Sequence, residues 1–74
     1  MKIGDYFIII KDDYLIKYNG NIGIIIGKYP TSMRRWEGKL LTKHNGIKVN
    51  VNHYPFNEHE VRKITKEEAF LEML

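Results

Sequence analysis

From its start to residue 64 the chain is dense in β-branched and aromatic side chains and is interrupted by Gly, Asn, Asp or Pro at short intervals. β-Branched residues lose side-chain freedom in a helix and fit a pleated surface, so this stretch predicts short strands joined by turns. Only the last ten residues carry a helical pattern. A chain of 74 residues makes one small domain, 1–74, with a barrel over 3–64 and a helix over 66–74. Domains this small bury about 60% of the surface their unfolded chains expose, too little for a core plus a deep cleft. No Ser-His-Asp set, phosphate loop or dinucleotide fingerprint is present, so the domain is expected to be non-catalytic, with no cofactor.

Tyr6-Phe7-Ile8-Ile9-Ile10 is apolar on both faces and predicts a central strand. The run from Ile22 to Tyr29 holds too many Ile and Gly residues for a helix and predicts a second strand. Gly23 and Gly27 leave room for close backbone approach or a bend, and Ile24 is assigned to the core. Residues 35–42 give a third strand with Trp36, Gly38 and Leu40 on one face and Glu37, Lys39 and Leu41 on the other. Asn45-Gly46 signals a tight hairpin because both residues accept positive φ. The partner strand alternates Ile47, Val49 and Val51 with Lys48, Asn50 and Asn52, and the segment from His53 to Asn57 ends it. Residues 60–64 form a fifth strand. Thr65 then caps the terminal helix, with Glu68 three positions on completing a capping box. The expected fold class is mainly β: a small five-stranded SH3-like barrel that removes its own edges by near-closure, with a short C-terminal α-helix plugging one open end. An open meander with the helix across it is the alternative.

The pattern from Ile3-Gly4-Asp5 through an apolar strand, an eight-residue spacer and Asn19-Gly20-Asn21-Ile22-Gly23 into a second apolar strand resembles the opening of SH3-like barrels of the KOW type. It covers about 27 residues closely, and the remaining strands only by order and length. Such domains occur in NusG-type transcription elongation factors and in ribosomal proteins, so the resemblance implies contact with RNA, the ribosome or a polymerase.

The chain has no Cys, hence no disulfide framework and no Cys-based zinc site. No stretch approaches the ~20 apolar residues of a membrane span, and Met1-Lys2-Ile3-Gly4-Asp5 does not open a signal region. A cytoplasmic protein with no membrane partner is expected. Phe, Tyr, Met, Ile, Asn and Lys make up 37 of the 74 residues, a bias toward AT-rich codons that suits many bacteria and phages. Lysine excess therefore counts for less than the position of the charges.

That position is uneven. Residues 22–54 carry six basic residues against Glu37 alone, whereas residues 55–74 carry a net charge of −2. Lys28, Arg34, Arg35, Lys39, Lys43 and Lys48 are expected to gather on the outside of one wall, with Tyr29 and Trp36 interleaved as stacking planes. Guanidinium forks suit phosphate or carboxylate, and two of the three Arg residues stand together in Arg34-Arg35. A tryptophan on a strand is also a natural core residue, so platform and core are both open for Trp36.

Tyr14, Leu15, Ile16 and Tyr18 form an aromatic connection of the kind that holds extended peptides, or packs over the barrel. Asp12-Asp13 fits turn chemistry. His53, Glu58, His59 and Glu60 match no metal spacing, so no metal is expected. The predicted partner is nucleic acid, RNA or DNA, or a nucleic-acid-associated protein. The alternative is a protein-interaction module, such as a phage-encoded accessory protein or inhibitor that binds a host protein. The domain is expected to be a monomer or a weak dimer.

Overall fold

The computed structural model describes residues 1–11, 18–28, 36–41, 43–44, 47–48 and 51–73. The strands are β1 (Tyr6–Ile9), β2 (Ile22–Lys28), β3 (Trp36–Leu40), β4 (Lys43–His44), β5 (Ile47–Lys48), β6 (Tyr54–Phe56) and β7 (Val61–Ile64), followed by helix α1 (Lys66–Glu72). A single 3₁₀ turn, Glu58–Glu60, links β6 to β7. Five strands form one antiparallel sheet in the order β6-β3-β2-β1-β7, while β4 and β5 pair separately.

The connection between the outermost strands dictates the shape. A flat five-stranded sheet is about 19 Å across, at roughly 4.8 Å per neighbour. Only residues 57–60 separate β6 from β7, and three of them are coiled into the 3₁₀ turn, which rises about 2 Å per residue. The sheet therefore curls into a half-barrel, bringing its two edges toward each other. Asn57 and Glu60 fix the turn as a capping box: the Asn57 amide donates to Glu60 Oε1 at 2.8 Å. The Glu60 carbonyl accepts from the amides of both Ile10 and Lys11, tying the turn to the end of β1.

Alternation along the strands divides apolar residues between two faces. Phe7, Ile9, Ile25, Trp36, Leu40, Tyr54, Phe56 and Val61 fill the concave side. On the convex side Ile22, Ile64 and Ala69 form a second cluster, with Tyr6, Ile8 and Met73 packed against it. Burying a large apolar side chain contributes ~1.5–3 kcal/mol, so the concave cluster is the main source of stability. Helix α1 lies on the convex face over β1 and β7 and does not plug the barrel end. The reason is its apolar stripe: Ala69 and Met73 pack with Tyr6 and Ile8 of β1, Ile22 of β2 and Ile64 of β7. Thr65 accepts from the Glu68 amide at 3.1 Å, as the capping box predicted.

Three further expectations are corrected. Tyr54–Phe56, read as the end of a strand, is itself the edge strand, with Trp36 opposite Phe56 and Gly38 opposite Tyr54. Pro55 is tolerated because an edge strand leaves one row of amides unpaired. Of the strand expected over 47–52, Ile47–Lys48 pair as β5, Val49 and Asn50 lie outside the described residues, and Val51 is half-buried outside any strand. Lys43 pairs with Lys48 and His44 with Ile47, a register that brackets Asn45-Gly46, which lie outside the described residues together with Val49. Ile24 is half-buried on the convex face opposite Tyr6, and Ile25 is the core residue.

Candidate nucleic-acid interface

β2 and β3 position Lys28 and Lys39, and a bulge decides their sides. Ile25 faces Gly38, but the next paired residue is Gly27, opposite Glu37; Ile26 is the extra residue. The insertion shifts alternation by one step, so Lys28 falls opposite Trp36, whose side chain is turned inward. Lys28 Nζ stands 5.5 Å from the Trp36 ring centroid, within cation–π range. Lys39 instead stands opposite Ile24 on the convex face and is exposed. Lys28 and Lys39 thus occupy opposite sides of the sheet, which corrects the expectation of one wall carrying all the cations.

Trp36 is core and not a stacking platform. Its side chain is 8% exposed, it packs within the concave cluster, and its indole Nε1 donates to Glu58 Oε1 at 3.1 Å. The start of β3 faces the 3₁₀ turn, so the indole satisfies its N–H there while its rings fill the half-barrel.

The hairpin downstream is the strongest basic feature. β4 and β5 place Lys43 and Lys48 on one rung. Like charges directly opposite one another disfavour an antiparallel pair. Residues 38–57 contain Lys39, Lys43 and Lys48 and no Asp or Glu. Glu37, at the border of that segment, is engaged by His53 Nδ1 through its Oε1.

Other expected site residues divide. Tyr29, Arg34 and Arg35 lie outside the described residues, as do Tyr14, Leu15 and Ile16 of the aromatic connection. Tyr18 is described: it is half-buried, packs against the concave cluster, and meets Tyr54 edge-on with ring centroids 6.2 Å apart. Among the described residues no group of three or more His, Cys, Asp or Glu side chains could hold a metal ion. Glu60 is buried in its cap while His59 points to solvent. No helix among the described residues is long and apolar enough to cross a membrane.

At the other end of the sheet, Asp5 accepts from the Lys2 amide at 3.0 Å and meets Lys63 Nζ at 3.5 Å. The Lys2 amide, with the Lys63 charge, holds its carboxyl below the usual value. The sequence pattern revealed neither this pair nor the Trp36–Glu58 bond, since both join residues distant in the chain or depend on the curl.

Comparison with protein-family models, with curated proteins and with solved structures returns no significant match.

Proposed function

We propose that the domain is a non-catalytic binding module that contacts single-stranded nucleic acid, or a machine that carries it, through the β4–β5 hairpin and the adjoining Lys39. The observation that carries this reading is the pairing of Lys43 with Lys48 inside a segment free of carboxylates. Phosphate contacts by lysine are sequence-independent and release counterions, so they suit a module that positions a partner strand without reading bases. The strand order and the 3₁₀ turn between the edge strands are consistent with an SH3-like barrel, which supports carrying the KOW-type likeness forward. Burial of Trp36 takes stacking on that ring out of the mechanism and leaves electrostatics as the main source of affinity.

The test is fluorescence anisotropy of a labelled single-stranded oligonucleotide titrated with the protein across a salt series. Replacing both Lys43 and Lys48 with Ala is expected to weaken binding uniformly across oligonucleotide sequences. It should also reduce the salt slope by about 1.4, the value for two lost phosphate contacts to a single strand. Absence of any salt-dependent signal for the unmodified protein at low ionic strength overturns the reading and leaves the protein-interaction alternative.

A further inference from the structure

Glu37 is the only carboxylate in residues 22–54, and it does not pair with the lysine beside it. Glu37 and Lys39 are two places apart on β3, so they share the convex face about 7 Å apart along the strand, close enough for their side chains to meet. Lys39 is nevertheless exposed, and its side chain makes no hydrogen bond or ion pair among the described residues. The Glu37 carboxylate turns the other way, with Oε1 on His53 Nδ1; its side chain is 18% exposed and that of His53 is 75% exposed.

Strand pairing explains why His53 reaches it. Glu37 stands opposite Pro55, so His53, two places back, is its diagonal neighbour. The Leu40 amide donates to the Val51 carbonyl at 2.9 Å, and Gly38 stands opposite Tyr54, which brackets His53 at the level of Lys39. Among the described residues, the charged groups facing His53 are therefore Glu37 and Lys39, both on β3. The other neighbours on that face, Pro55 on β6 and Ile24 and Gly27 on β2, do not titrate.

A hydrogen bond from Nδ1 to a carboxylate needs a proton on that nitrogen, and the imidazolium supplies it together with a charge that offsets the carboxylate. With a neutral imidazole, Glu37 stands as an uncompensated anion beside Lys39, where it repels phosphate and competes for the ammonium. We propose that His53 is a proton-operated shield for Glu37, coupling proton uptake to the binding of a nucleic-acid phosphate at Lys39. This rests on the nucleic-acid reading above and adds regulation to the same site. The protonated imidazole favours the bound strand, so affinity rises as pH falls from about 8 to about 5, the range in which imidazoles titrate. One unit of charge about 7 Å from a phosphate in water changes affinity roughly threefold.

The test is anisotropy of a labelled single-stranded oligonucleotide at constant ionic strength, at about pH 8 and about pH 5.5, with each variant compared with the unmodified protein at the same pH. His53→Gln should bind like the unmodified protein at the higher pH and roughly threefold more weakly at the lower one. Glu37→Gln should bind roughly threefold more tightly at the higher pH. In the Glu37→Gln background the low-pH loss from His53→Gln should shrink, because no carboxylate is left to shield. Both side chains lie outside the core, so thermal melts of the variants should stay close to that of the unmodified protein. A low-pH loss of full size in the Glu37→Gln background makes His53 an independent phosphate contact and overturns the shield. Binding whose pH dependence survives His53→Gln unchanged also overturns it, while leaving the nucleic-acid reading in place. No binding by the unmodified protein at either pH overturns both.

Discussion

Phe7 stands directly opposite Gly23 across the β1–β2 pair, and its ring occupies the space where a Gly23 side chain would begin. Gly38 on β3 frames the other side: a Cβ there would lie 2.7 Å from two atoms of the same ring and 3.2 Å from Phe56. Two glycines on adjacent strands thus form a seat for one aromatic ring, which also packs on Phe56 with centroids 4.6 Å apart.

Filling that seat should destabilise the fold. Gly38→Ala is expected to cost about 1–3 kcal/mol, the usual penalty for overpacking a core, and to lower the denaturant midpoint accordingly. Phe7→Leu in the Gly38→Ala background should recover part of the loss. Additive losses in the double variant would show that the ring and the glycine are not coupled.

The Trp36–Glu58 bond gives a second test. Trp36→Phe retains most of the packing but removes the indole donor, and is expected to cost about 1 kcal/mol, typical of one hydrogen bond. As the only tryptophan, buried at 8% exposure, Trp36 should report unfolding through its fluorescence and change little when an oligonucleotide binds. A large ligand-induced quench would place the indole at the binding surface.

Asp5 predicts the pH dependence. Its carboxyl lies below the ordinary value of 3.8 in the folded chain, so the folded state binds its proton less readily than the unfolded state. The contribution is fully present above pH 3.8 and is lost as pH falls through the lower folded value. Asp5→Asn should therefore flatten the acid limb of a thermal-stability profile and leave stability near neutrality slightly reduced. An unchanged acid limb would assign that limb to other carboxylates.

Much of the scaffold was legible because it obeys short periodicities. The inward row Trp36, Gly38 and Leu40 follows from alternation, and the helix start follows from Thr65 and Glu68. The features that escaped are those in which one residue breaks a period or a distant contact overrides a local cue. Pro55 reads as a terminator but sits in an edge strand, where a missing amide is harmless. Ile26 adds one residue to β2, which no alternation rule anticipates, and so sends Lys28 to the side of the sheet opposite Lys39. The site was less legible than the scaffold for the same reason: charge position along the chain is readable, but the face on which a charge emerges depends on the bulge. The pairing of Lys43 with Lys48 agrees with the local hairpin signal of Asn45-Gly46.

Strand β1 has oily residues on both of its sides, Phe7 and Ile9 toward one compartment and Tyr6 and Ile8 toward the other. Polarity alone would let such a strand slide by one position with little complaint, since every slot would still receive a greasy side chain. Shape supplies the missing instruction. Only the phenyl group of residue 7 meets a notch carved by two absent side chains, so a slipped frame would leave that notch empty and drive an isoleucine or tyrosine against a wall with no recess. The strand is indexed like a key by a single tooth.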